Sequence, residues 1–224
     1  MTASEYMTRW LEDSAKGDLG LRTYHNYKLQ IRRHISPALG RLKLSKLTAA
    51  HIQSLYAAKL RAGLKPSSVR YIHAVLHRGL EQAVRFSLIP FNPAARVDPP
   101  KVRQEEITPL DSEQARVLLE AAEGDRFEAL FVVSLTVGLR MGEALGLRWS
   151  DIDLDAKTLR VNRQLQRIRD DGGLVFGEPK NASRRAVDLP QRAVEALRSH
   201  RKRQVEEEDK GRLLRGLRAR LRHG

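Results

Sequence analysis

The chain has 224 residues, enough for one large or two small domains that each bury a core. A net charge of +14 and a pI near 10.5 attract polyanions, so nucleic acid leads the partner classes and an acidic membrane surface is the rival. Cysteine is absent, which excludes disulfides and thiolate metal sites; the seven histidines show no ligand spacing, no apolar run approaches the ~20 residues that span a bilayer, and Met1 is not followed by a signal segment, so a cytosolic protein without metal or cofactor is expected.

From Ala3 to Ser14 the apolar residues Tyr6, Met7, Trp10 and Leu11 recur at helical spacing. A second helix is predicted over Thr23 to Ile35, with Tyr24, Tyr27, Ile31 and Ile35 on one face and Lys28, Arg32, Arg33 and His34 on the other. Those cations form either a solvated surface or a face laid on phosphate, and the overall charge favours the second. Pro37 and Gly40 close the segment. A third helix, Thr48 to Arg61, points Ile52, Leu55, Tyr56 and Leu60 inward and ends at Gly63. Pro66 opens a fourth, to about Ser87, with Val69, Ile72, Leu76, Leu80 and Ala83 as its core stripe; Arg70, His73, His77, Arg78 and Arg85 lie off it or at its margins. Between Ile89 and Pro109 the residues Pro90, Pro93, Pro99, Pro100 and Pro109 interrupt any helix, and an extended interdomain linker is expected.

Asp111 followed by Gln114 makes a capping-box start for a helix through Ala122, with Leu118 and Leu119 buried. Ala129 to Leu135 reads as a buried helix, Gly138 turns the chain at its end, and Arg140 plants a guanidinium at the rim of the core. Such a residue pairs with Glu143 on the next turn, contacts a carbonyl, or awaits an anion from outside. On spacing alone a surface Arg140–Glu143 pair, worth about 0.3 kcal/mol, is the favoured reading. Residues 158–161, 173–176 and 186–189 are strand candidates, and one three-stranded antiparallel sheet is the economical arrangement. Residues 201–224 hold nine Lys/Arg and four Asp/Glu, a net of +5; the part beyond Glu208 reads as a disordered basic segment whose leucines offer an amphipathic helix as the alternative.

The stretch Ser134 to Asp153 resembles the first arginine box of the tyrosine recombinases, the phage-integrase family of site-specific DNA strand-exchange enzymes. Thr136, Gly138, Leu139, Arg140, Gly142, Glu143, Leu145, Gly146, Leu147, Arg148, Trp149, Asp151 and Asp153 agree with the family pattern, a density of matches that outweighs the surface-pair reading. Pro179 to Pro190 resembles the family's lysine hairpin, with Lys180 at the lysine position and Asn181 where Thr is usual. The phrases His34 to Gly40 and Asn92 to Ala95 are similar to the family's core-binding domain.

The resemblance implies a mainly α fold with a small antiparallel β-sheet: a helical SAM-like core-binding domain over 1–89, a linker over 90–109, the first half of a catalytic domain over 110–208, and a basic tail over 209–224 that resembles nothing in the family. Family chemistry is metal-free phosphoryl transfer. A tyrosine attacks the scissile phosphate, arginines stabilise its added charge, and a lysine protonates the leaving 5′-hydroxyl. Carried over, this gives catalytic roles to Arg140 and Lys180, a supporting one to Glu143, and DNA contacts to Lys28, Arg32, Arg33, Arg70, His73 and Arg78. Double-stranded DNA is the implied partner, on which an intact recombinase would oligomerise. Two family features are unmatched: Tyr6, Tyr24, Tyr27, Tyr56 and Tyr71, all the tyrosines, precede the linker, and His200 to Arg203 has the spacing of the H-x-x-R box without its flanking residues. The expectation is therefore a C-terminally truncated member that binds DNA without cleaving it. The rival is a stand-alone, non-catalytic DNA-binding protein that occupies recombination sites.

Overall fold

A computed structural model describes residues 1–103, 106–168, 173–179 and 184–220. They fall into two compact units, Met1–Glu106 with Ile168–Gly173 and Ile107–Arg167 with Leu174–Gly224, each built on its own apolar cluster.

In the first unit, helix α1 (Ala3–Arg9) runs into a π-helical turn (Trp10–Ala15), and α2 (Leu21–Gln30) into another (Ile31–Ile35). The short α3 (Ser36–Leu39), α4 (Ala49–Arg61) and α5 (Pro66–Arg85) follow. Thr2 and Thr48 close reciprocal capping boxes at the starts of α1 and α4, which satisfies amides that a helix leaves without internal partners. The expected stripes are the buried ones, from Tyr24, Tyr27, Ile31 and Ile35 to Val69, Ile72, Leu76, Leu80 and Ala83. Leu60 is the exception. It sits in the last turn of α4, beyond the layer of Ile52, Leu55 and Tyr56, and is exposed.

Helices α1 and α5 meet over bare backbone: Tyr6 donates its hydroxyl to the Gly79 carbonyl at 2.7 Å, and a Cβ on Gly79 would stand 2.8 Å from the Met7 sulfur. Trp10 stacks on Tyr27, which meets Tyr71 edge-on, so aromatic rings fill the space between the N-terminal helices and α5.

Part of the stretch expected to be extended is folded. Asn92 accepts from the Ala94 amide and donates to the His77 carbonyl and to Glu81, fixing a 3₁₀ turn over Pro93–Arg96. Ile89, Ala94 and Val97 thereby join the first core. Pro93 fits because the first position of a helical turn needs no amide.

The second unit contains α6 (Ser112–Ala121), α7 (Glu128–Val137), α8 (Met141–Ala144), strands β1 (Ile152–Asp153), β2 (Thr158–Val161), β3 (Gln164–Ile168), β4 (Gly173–Gly177) and β5 (Arg185–Asp188), and the long α9 (Gln191–Arg220). The expected Asp111–Gln114 capping box is present. One sheet of three strands is replaced by two sheets: antiparallel β1-β2-β5, and β3 paired with β4. The alternation that marks a strand is absent from the two-residue β1 and weak in Gln164-Leu-Gln-Arg-Ile168, so both escaped the sequence. The register sets Leu159 opposite Val187 and Val161 opposite Arg185, and buries Leu159 and Val161 fully.

Helix α7 is only half covered. Ala129, Val132 and Val133 face the core, whereas Phe131 and Leu135 are about 40 % exposed, and Leu118 of α6 is exposed as well. Helix α9 packs Ala193, Val194, Ala196 and Leu197 inward and continues past Glu208 to Arg220, so a helical backbone replaces the disorder expected there. Among the described residues no helix is long and apolar enough to cross a membrane.

Candidate functional site

Gly138 ends α7 with φ +69, a left-handed conformation that costs an L-residue roughly 1–2 kcal/mol and glycine nothing comparable. The chain then drops Leu139 into the core and presents Arg140 as the N-cap of α8. Glu143, three residues on, reaches back. Its side chain is 1 % exposed, against 64 % for that of Arg140, so this is no surface pair.

All four acceptor directions of the carboxylate are filled. Oε1 accepts from Arg140 Nη1 at 3.0 Å and Arg185 Nη1 at 3.2 Å; Oε2 accepts from the Arg140 amide at 3.1 Å and Arg185 Nη2 at 2.9 Å. These bonds, led by those from Arg185 and opposed by burial, hold the Glu143 carboxyl at about 2. Two guanidiniums on one carboxylate leave a surplus positive charge, and Arg140 is the more exposed of the two. Its Nε and Nη2 have no hydrogen-bond partner among the described residues. The arrangement is a cation whose reach is fixed from behind and whose donors remain open to an anion.

Arg148 repeats the device. Its amide, Nε and Nη2 all donate to buried Asp151, which also accepts from Asn162 at 2.8 Å. The Arg148 contacts hold Asp151 below the usual carboxylate range.

Between the two pairs, α8 lies against the β3 end. A Cβ on Gly142 would stand 2.9 Å from the Leu165 carbonyl, and one on Gly146 would stand 2.9 Å from Gln164 Cα and 3.0 Å from the Arg163 carbonyl. Arg163 ties the contact by donating to the Gly146 carbonyl at 2.7 Å while its guanidinium covers Phe176. Because the obstruction at Gly146 is backbone, Gly146→Ala is expected to destabilise the second unit by about 1–3 kcal/mol, read as a lower urea midpoint at unchanged slope.

Helix α9 closes the other side. Trp149 donates to Gln204 at 2.8 Å and its ring lies 6.0 Å from that of His200. Arg203 donates to the carbonyls of Gly124 and Asp125. Both residues of the apparent His200-x-x-Arg203 motif therefore serve packing of α9.

Of the other sequence candidates, Lys180 lies outside the described residues. Lys28, Arg32, Arg33, Arg70 and Arg78 are exposed on helices of the first unit. The Arg78 guanidinium stands 6.0 Å over the Tyr27 ring. His73 differs from them: its Nδ1 is 2.9 Å from the Tyr56 hydroxyl, and burial, with His77 and Arg70 nearby, lowers its pKa. Arg185 was missed as a site residue. The signal was within the hairpin motif, but a strand arginine reads as solvent-facing until the register brings it to Glu143.

A small helical unit is thus followed by a mixed α/β unit in which an exposed arginine is seated on a buried glutamate. The chain belongs to the phage integrase, or tyrosine recombinase, family: the model described as "Phage integrase, N-terminal SAM-like domain" matches residues 2–60 and that described as "Phage integrase family" matches 108–216, past the composition change at Glu208. Curated relatives include a "Tyrosine recombinase XerC-like" protein of Caldanaerobacter subterraneus, 29 % identical over 92 % of this chain and 57 % of its own length. The integrase of Mycobacterium phage L5 is 30 % identical over 90 % of this chain and 53 % of its own. The chain thus spans about half the length of the curated relatives it matches. Among solved structures, the Tn1549 transposon integrase (residues 82–397) in complex with circular intermediate DNA superposes with a TM-score of 0.72 at 19 % identity, over 89 % of this chain and 64 % of the other. A lambda integrase tetramer bound to a Holliday junction gives 0.68 at 20 % identity, over 89 % and 56 %. At those identities the likeness is one of fold.

Proposed function

We propose that residues 1–224 bind double-stranded DNA as the core-binding domain and first catalytic half of a site-specific recombinase, and that they do so without cleaving it. The observation that carries this is the Arg140 guanidinium, exposed, held on a buried carboxylate and left with open donors. A phosphate gathering charge in a strand-transfer transition state needs such a preorganised cation. The first unit supplies the grip: Lys28, Arg32, Arg33, Arg70 and Arg78 are its phosphate contacts, and His73 sits one turn from Arg70. Lys180 is assigned from its hairpin sequence as the proton donor to the leaving hydroxyl, and assembly with further recombinase copies on DNA is part of the same reading.

Every tyrosine precedes Asp111, and Tyr6 and Tyr56 are buried in the first core. Burial raises the pKa of Tyr6 to about 12, which favours the protonated, less nucleophilic phenol. Incubated with nicked duplex and run on a denaturing gel, the chain is expected to leave all DNA at free mobility while native gels show complex. A denaturation-resistant protein–DNA band would refute the non-cleaving part, and no native complex would refute DNA binding.

A further inference from the structure

Arg185 is the group at the Arg140 site that no sequence motif assigned a role. It reaches the site from β5, opposite Val161 in the register, and places both terminal nitrogens on the two oxygens of Glu143. Among the described residues, Arg140 and Arg185 are the charged side chains that face this carboxylate; Arg163, the next cation along, is turned to the Gly146 carbonyl and Phe176. A planar, bidentate guanidinium is the strongest counter-charge a carboxylate can take. With Arg185 in place, Glu143 is neutralised from the strand side and the charge on Arg140 stays uncompensated. Without it, Arg140 becomes the sole counter-ion of a buried anion and is drawn back onto it.

We propose that Arg185 is a positioning residue: it supplies the counter-charge of Glu143 so that Arg140 keeps its own charge for a DNA phosphate. The phosphate part rests on the function proposed above; the counter-charge part does not.

Two measurements on the full chain separate them. The first needs no DNA: the Glu143 side-chain carboxyl carbon is followed by NMR against pH. In Arg185→Gln its midpoint should rise by at least about one unit, because the leading hydrogen bonds are gone. An unmoved midpoint overturns the counter-charge.

The second is the slope of log affinity against log salt on one 30-base-pair duplex. Neutralising one phosphate is worth about 0.9 in that slope. Arg140→Gln should lose about that much, Arg185→Gln most of it, and the two together no more than Arg140→Gln alone, since Arg185 acts through Arg140. A double variant that loses about twice as much overturns the proposal and makes Arg185 itself a DNA contact. A wild-type slope in Arg140→Gln defeats the phosphate reading while the carboxyl titration still decides the counter-charge. Should Arg185→Gln not fold, Arg185→Lys decides by the carboxyl titration: it keeps the charge but not the bidentate pair, so a raised midpoint supports the counter-charge and an unmoved one overturns it.

Discussion

Between 50 and 200 mM salt, the affinity of the chain for duplex DNA is expected to fall by about 10³-fold or more if six or more phosphates are neutralised. Five arginines and lysines on the helices of the first unit, with Arg140 in the second, reach that number. The molecule as a whole carries +14, so attraction to DNA precedes any specific contact. Counterions condensed on DNA are released when these cations dock, and added salt reverses that gain. Fluorescence anisotropy of a labelled duplex measures it directly. Affinity indifferent to salt would mean that binding does not run through phosphate.

The largest loss of stability from a single polar change is expected at Glu143. Glu143→Ala removes four hydrogen bonds and leaves Arg140 and Arg185 facing each other without their shared anion. Removing one partner of a buried ion pair costs roughly 3–5 kcal/mol. The pH linkage gives a similar size. The folded carboxyl titrates at about 2 against an ordinary 4.5, a depression worth about 3 kcal/mol. Because the folded pKa is the lower one, the stabilisation is complete above 4.5 and disappears as pH falls through the folded value. Urea melts of the second unit should therefore show wild type losing about 3 kcal/mol on acidification from pH 5 to 2 that Glu143→Ala does not lose. Equal pH dependence in the two proteins would place the carboxyl in water rather than between guanidiniums.

Much of this architecture is legible before any coordinates. Helical periodicity over Tyr24 to Ile35 and Val69 to Ala83 names the faces that are buried, because a helix in a small domain has one core to face. Gly138 and the Asp111–Gln114 box mark their helix ends through local chemistry alone. The errors arise where tertiary contact decides. Pro93 looks like linker punctuation, yet the Asn92 side chain, donating two hydrogen bonds and accepting one, tucks its turn into the first core. The apolar run at Ala129 to Leu135 promised full burial, but a helix covered on one side leaves Phe131 and Leu135 exposed. Arg140 and Glu143 are legible as a pair from their spacing, while the third member, 42 residues later in sequence, depends on the β2–β5 register and is invisible to any local pattern. Whether that pair is a weak surface contact or a buried clamp is likewise a question of what covers Glu143.

The most direct test of the account is the salt dependence of duplex binding by wild type and Arg140→Ala, measured on the same DNA over the same series. The account predicts that wild type binds more tightly at every salt and that its log-log slope is steeper by about 0.9, one phosphate contact. Parallel lines of equal affinity would contradict it, because an arginine held open on a buried carboxylate would then be touching no DNA at all.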